Sequence, residues 1–191
     1  MKRISEIIIT IIVLGVIVYA FQVKAERDRL ILTGKEILLE LAPVDPLSLL
    51  QGQYMIINFA LEREEIEVKD QEVNSDRIRI NHNESARIVL RYNESGVASF
   101  NRFEDDQLLA SNEMLLKIKR STDRKYNDGE FSKYFYRINV EQESFLFKEN
   151  TEKKYEEKAK YGVFKVGPDG DYVLVDLADK DLNKLTVVKP Q

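Results

Sequence analysis

From residue 7 to residue 23 the chain carries no charged side chain, reading IIITIIVLGVIVYAFQV. A helix of about 17 apolar residues lies at the short end of what crosses a bilayer. The run therefore predicts a transmembrane anchor over residues 7–23, behind a short tail of residues 1–6. Val18-Tyr19-Ala20 also fits a small-residue cleavage site, which makes a removed signal peptide the rival reading. The retained anchor is favoured, because the run exceeds a usual signal core. Helical composition also continues through Lys24-Ala25-Glu26-Arg27-Asp28-Arg29-Leu30, predicting a juxtamembrane extension over residues 24–34. Orientation is not fixed by charge. Lys2 and Arg3 face Lys24, Arg27, Arg29 and Lys35 across the span, a count that slightly favours a cytoplasmic C-terminal side. Long domains, however, translocate largely regardless of charge.

Residues 35–191 suit one compact domain. With 43% hydrophobic and 32% charged residues, the 191-residue chain is too apolar for disorder. Its net charge of −4 opposes binding to a phosphate backbone, so no nucleic-acid partner is expected. It has no cysteine, which excludes disulfides, thiolate metal sites and a cysteine nucleophile.

The expected fold class is mainly β (α+β): an N-terminal transmembrane helix, then a mostly antiparallel β domain with one short charged helix. The anchor helix is expected to run to Thr33, with Gly34 as its cap. Residues 35–41 read as a first strand, broken by Pro43 and Pro46, and residues 54–61 as an apolar core strand. The charge-rich residues 62–84 suggest an extended connection or a water-facing edge hairpin. Strands at 87–92 and 97–103 flank the turn Asn93-Glu94-Ser95-Gly96. A second hairpin joins 113–120 to 131–140 through a turn containing Asn127-Asp128-Gly129. Residues 151–160 predict the charged helix, with Tyr155 and Ala159 as its apolar stripe and Gly162 as its end. Strands at 161–166 and 171–177 close a third hairpin around Gly167-Pro168-Asp169-Gly170.

The most distinctive segment is Pro43-Val44-Asp45-Pro46-Leu47-Ser48-Leu49-Leu50-Gln51-Gly52-Gln53-Tyr54-Met55-Ile56-Ile57-Asn58-Phe59. Two prolines and a glycine force a shaped turn ahead of a strand. Following a membrane-length helix and a first strand, it resembles the GDYXXLXY family of bacterial membrane-anchored proteins, which is functionally uncharacterised. The family motif falls on residues 52–59. Gly52 and Tyr54 match it, whereas Gln53 replaces the usual aspartate, Ile57 a leucine and Phe59 a tyrosine. Residues 145–177 resemble the family's C-terminal part. The resemblance implies a bacterial envelope location, a β domain outside the cytoplasm and a possible multi-pass membrane protein as partner. Gln53 does not titrate and Phe59 has no hydroxyl, so the motif keeps its shape without its ionisable groups, which points to a structural role.

The candidate residues are accordingly Pro43, Asp45, Pro46, Gly52, Gln53, Tyr54, Ile57 and Phe59, read as a family motif or partner contact. Gly52 suits a turn. Tyr54 fits either a core position or an exposed interface anchor, and Asp45 is placed to accept backbone hydrogen bonds in its own turn. Ser48 raises the idea of a membrane-anchored serine hydrolase, but every lysine lies in polar sequence and none is identifiable as its base. His82 is the only histidine and sits in a polar stretch, short of a zinc ligand set. Asp169 and Asp171 fall short of a calcium loop, and the adjacent acids Glu64-Glu65 and Asp105-Asp106 read as solvated faces rather than opposed catalytic carboxylates. No catalytic residue, metal or cofactor is expected. The leading expectation is a non-enzymatic anchored domain that docks with a membrane or envelope partner. A small-ligand or lipid-binding module is the alternative.

Overall fold

The computed structural model describes residues 2–42, 50–51, 54–69, 85–128, 131–142, 144–146 and 151–186. Helix α1 covers Lys2–Thr33, and strand β1 (Lys35–Glu40) starts after the single residue Gly34. Thirty-two helical residues extend for about 48 Å. The large apolar side chains between Ile7 and Phe21 are exposed, and α1 is long and apolar enough to cross a membrane. The helix ends where expected. Gly34 donates its N–H to Leu30 O at 2.8 Å. A Cβ at this position would stand 2.5 Å from that same carbonyl oxygen, so the tight exit from helix into strand requires glycine.

Ten strands and one α-helix follow β1 along the described chain. They are β2 (Leu50–Gln51), β3 (Tyr54–Ile56), β4 (Ile66–Lys69), β5 (Ser85–Tyr92), β6 (Val97–Phe103), β7 (Glu113–Asp128), β8 (Phe131–Asn139), β9 (Ser144–Leu146), α2 (Glu152–Lys158), β10 (Tyr161–Val166) and β11 (Tyr172–Ala178). Eight strands form one sheet in the order β11-β10-β1-β6-β5-β7-β8-β4. Every neighbouring pair is antiparallel except β1 and β6, which run parallel at Leu38 and Leu39. The strand that leaves the helix is thus an interior strand, bonded on both edges. A second, three-stranded sheet, β2-β3-β9, lies apart in its own ladder.

The main core forms between the large sheet and the elements laid over it. Ile37, Leu39, Ile88, Leu90, Leu116, Ile118, Ile138 and Phe164 come from the large sheet, while Met55, Ile57, Phe59, Tyr155 and Leu185 close over them. Leu38, Val163 and Ala178 form a smaller cluster on the opposite face, as period-two alternation requires. Within β1 the two faces are thereby served by successive leucines.

Several expectations need correction. The strand expected over 54–61 stops at Ile56. Phe59 makes only an isolated bridge with Leu41, and Ala60–Arg63 turns as a 3-10 helix. The Glu62 side chain takes the Phe59 N–H at 2.7 Å, which removes that donor from any ladder. Within 62–84 the structure has the edge strand β4 paired with β8, while residues 70–84, His82 among them, lie outside the described residues. Asn127 and Asp128 belong to β7, opposite Ser132 and Phe131, and not to a turn. Helix α2 ends at Lys158 with Ala159 extended, and Gly162 lies within β10 opposite Leu39. That glycine serves packing. A Cβ there would meet the Phe59 ring at 2.9 Å and the Phe164 ring at 3.0 Å.

Strands β6 and β7 both flank β5, so residues 104–112 must cross it. Glu113 secures the far side of this crossover. Its carboxylate pairs with Arg91 at 3.1 Å and Arg102 at 3.2 Å, and accepts from Asn101 Nδ2 at 2.8 Å and the Ala110 N–H at 3.1 Å. The Ala110 N–H, followed by Arg91, holds the Glu113 carboxyl below the usual carboxylate range. A depressed carboxyl stabilises the fold at pH values above its unfolded pKa, about 4.3, and loses that contribution as pH falls through the folded value.

Two outcomes are expected. Gly162→Ala destabilises the detergent-solubilised chain by about 1–3 kcal/mol in urea unfolding, since the Phe59 and Phe164 rings must yield; wild-type stability in that variant would show the ring contact to be loose. Glu113→Gln flattens the loss of stability between neutral and acid pH and speeds amide exchange across 107–112. Unchanged profiles by both measurements would remove Glu113 from its place in the crossover.

Candidate functional site

The motif identified in the sequence falls on β3 and the chain after it. Pro43, Asp45, Pro46, Ser48, Gly52 and Gln53 lie outside the described residues. Tyr54 opens β3, opposite Gln51 on β2 and Leu146 on β9. From there the chain alternates. Met55 and Ile57 are buried, at 4% and 2% exposure, while Ile56 faces outward. Leu146, on the neighbouring strand, is 74% exposed, so the outer face of the small sheet presents aliphatic surface to solvent.

Phe59 is fully buried and ends the segment. Its ring lies 5.3 Å from the Phe164 ring, tilted by 57°, over the space left by Gly162. Phe164 in turn meets Tyr172 edge-on at 5.5 Å. A tyrosine hydroxyl at position 59 would need a buried hydrogen-bond partner, and a bare ring avoids that requirement. Two of the candidate residues, Ile57 and Phe59, are therefore core groups in this chain.

Sequence reasoning missed Glu62, which was read as the start of a solvated, charge-rich stretch. Its carboxylate is half-buried and accepts two backbone N–H groups: Phe59 at 2.7 Å through Oε2 and Val140 at 2.7 Å through Oε1. It thereby fixes the end of the motif to the end of β8. The available signal was its place three residues after Phe59, the spacing at which an acid reaches back to an N-cap backbone N–H. Asp176 was missed in the same way. It is buried, at 6% exposure, and accepts from the Leu177 N–H at 2.7 Å and the Thr186 N–H at 3.1 Å, tying the final described segment to β11.

The remaining sequence candidates are dispersed. Asp171 pairs with Lys117 at 2.6 Å, Glu65 with Arg137 at 3.3 Å and Asp105 with Arg102 at 2.6 Å. Among the described residues no group of three or more histidine, cysteine, aspartate or glutamate side chains is placed to hold a metal ion. The chemistry gathered around the motif is hydrogen bonding and apolar packing. It can hold a strand in place and present its outer face.

Truncating Glu62 to alanine is expected to cost about 2–3 kcal/mol, because two backbone donors lose a charged acceptor. Urea unfolding measures the loss, and amide exchange at Phe59 and Val140 locates it. A variant as stable as wild type would mean that water replaces the carboxylate at no cost.

No curated protein and no solved structure matches this chain. A family model described as GDYXXLXY protein matches residues 14–177, from inside α1 to Leu177 in β11. With most of its length inside that match, and with the anchor-length helix and β domain assembled around the motif, the chain belongs to the GDYXXLXY family.

Proposed function

We propose that this protein is a non-enzymatic β domain, held at the cell membrane by α1, that docks with a membrane or envelope partner. The observation that carries the reading is the division of labour along β3 and the residue after it. Met55 and Ile57 face the core, while Ile56 and Leu146 expose aliphatic side chains on the outer face of the same small sheet. Exposed aliphatic surface on an ordered strand pair suits a protein contact better than it suits water. The groups that fix this sheet, Glu62 and the Phe59–Phe164 pair, are occupied in holding it. A location outside the cytoplasm and a multi-pass partner are supported by the family resemblance, and a single-pass anchor by the length of α1.

The test places a photo-crosslinking residue at position 56 or 146 of the full-length protein in its own membranes. Both positions face outward, so the fold should tolerate the change within about 0.5 kcal/mol. The expected result is one dominant adduct with a membrane or envelope protein, lost on pairing with the charged substitutions Ile56→Lys or Leu146→Lys. Uniform labelling of lipid or of many unrelated proteins would sink the docking face.

A further inference from the structure

Where α1 leaves its apolar run, it forms one wall of a cleft of about 970 Å³. The lining begins at Val23, the last residue of that run, and rises through Glu26, Arg27, Arg29 and Leu30 to Gly34. Val23, Glu26, Arg27, Leu30 and Thr33 recur at the i, i+3, i+4 spacing of a single helical face. The opposite wall comes from the β10–β11 turn and the chain after β8. There Gly167 packs so closely on α1 that a Cβ would stand 3.2 Å from Leu30 Cδ1.

The charges in this cleft are of both signs and mostly unspent. Arg27 and Arg29 form no ion pair among the described residues, although Lys24 and Asp28, on the same helix, pair with each other. Glu26, Glu141 and Asp169 likewise have no cationic partner among the described residues. Lys117 and Asp171, also in the lining, neutralise one another at 2.6 Å. Tyr172 closes the floor, its hydroxyl accepting the Glu141 N–H at 2.7 Å, which holds the Glu141 backbone against β11.

A simple anion would meet three unpaired carboxylates here, and a simple cation two unpaired guanidiniums. A ligand bearing both charges satisfies both sets. Guanidinium groups recognise phosphate by paired N–H donors. Carboxylates accept the N–H bonds of a primary ammonium, which a quaternary ammonium cannot donate. The depth also agrees. With residues 7–23 in hydrocarbon, Arg27 stands about 6 Å above Val23, within the headgroup layer.

We infer that the cleft between α1 and the β10–β11 turn binds a phosphoethanolamine group, its phosphate on the two-pronged guanidinium of Arg27 and its ammonium on Glu141 and Asp169. The group can arrive as a lipid headgroup or as a soluble phosphoester. The inference rests on α1 being a retained anchor only for the lipid source.

The full-length protein is placed in nanodiscs of phosphatidylcholine alone, or with phosphatidylethanolamine or phosphatidylglycerol added. Lipid retained per protein is then read by native mass spectrometry and exchange across 167–173 by hydrogen–deuterium measurements. The expected result is selective retention of the ethanolamine lipid with slowed exchange, reduced about tenfold by R27Q and by E141Q/D169N. All three positions are charged groups outside the core, and unchanged melting of the variants would confirm intact folds. Soluble phosphoethanolamine is added to the detergent-solubilised protein in parallel. Protection there, but no lipid selectivity, assigns the site to a soluble ligand of the same chemistry. Equal retention of all three lipids with no soluble protection overturns the inference, as does selectivity that both variants preserve. A protein that fails to enter discs removes the anchor, and the detergent arm then decides alone.

Discussion

One glycine joins two structures that obey different solvents. Gly34 is the only residue between a 32-residue helix and an interior strand, and its N–H closes the last helical turn on Leu30. Because β1 is bonded to β10 on one edge and β6 on the other, it cannot pivot without breaking ladder bonds on both sides. Leu30 also packs against Gly167 of the β10–β11 turn, a second point of contact between helix and sheet. Direction of the helix and direction of the sheet are therefore one property. A flexible linker would have let the domain rotate freely over a membrane, whereas this joint fixes which faces of it point along α1.

The family motif takes its meaning from the same economy. Its inward groups, Met55, Ile57 and Phe59, fill a core that the large sheet alone could not close. Its terminus is pinned by Glu62 to Val140, a contact spanning much of the chain. Substituting Phe59 for a motif tyrosine fits this arrangement, since the ring is the part that Gly162 and Phe164 accommodate. The motif here is a clasp between two sheets. Its aliphatic outer face is the surface proposed above for a partner.

Where local pattern and tertiary packing agreed, the sequence could be read. The end of α1 at Thr33, the Asn93–Gly96 hairpin and the β10–β11 hairpin all rest on residue-level turn and cap chemistry. Asn93 shows why: its side chain accepts from the Ser95 and Val97 N–H groups at 3.0 Å, so the turn is specified within five residues. Failures occur where a distant partner decides. Nothing near Gly162 announces that a ring from residue 59 must sit on it, so its role as a packing glycine in β10 was hidden behind that of a helix stop. Glu62 and Asp176 looked like ordinary surface acids because their partners, Val140 and Thr186, lie far along the chain or beyond a turn. The strand order, with β1 parallel to β6, was equally out of reach, since periodicity fixes faces and not neighbours.

Height along α1 sets where the cleft meets the membrane surface. For a helix along the membrane normal, the residues from Val23 to Gly34 lift the start of β1 by about 16 Å. The headgroup layer is only about 7 Å deep on each side. The start of β1 thus stands clear of the headgroups while the lower part of the cleft does not. Ionic groups on the helix face, Glu26 and Arg27, lie at headgroup height, about 4.5 and 6 Å above Val23. Ile56 and Leu146 lie in the separate three-stranded sheet, which Gly34 does not join directly to α1. On the readings proposed above, the cleft beside α1 meets a phosphoethanolamine group and the small sheet a protein partner, so the two surfaces divide ionic from aliphatic recognition.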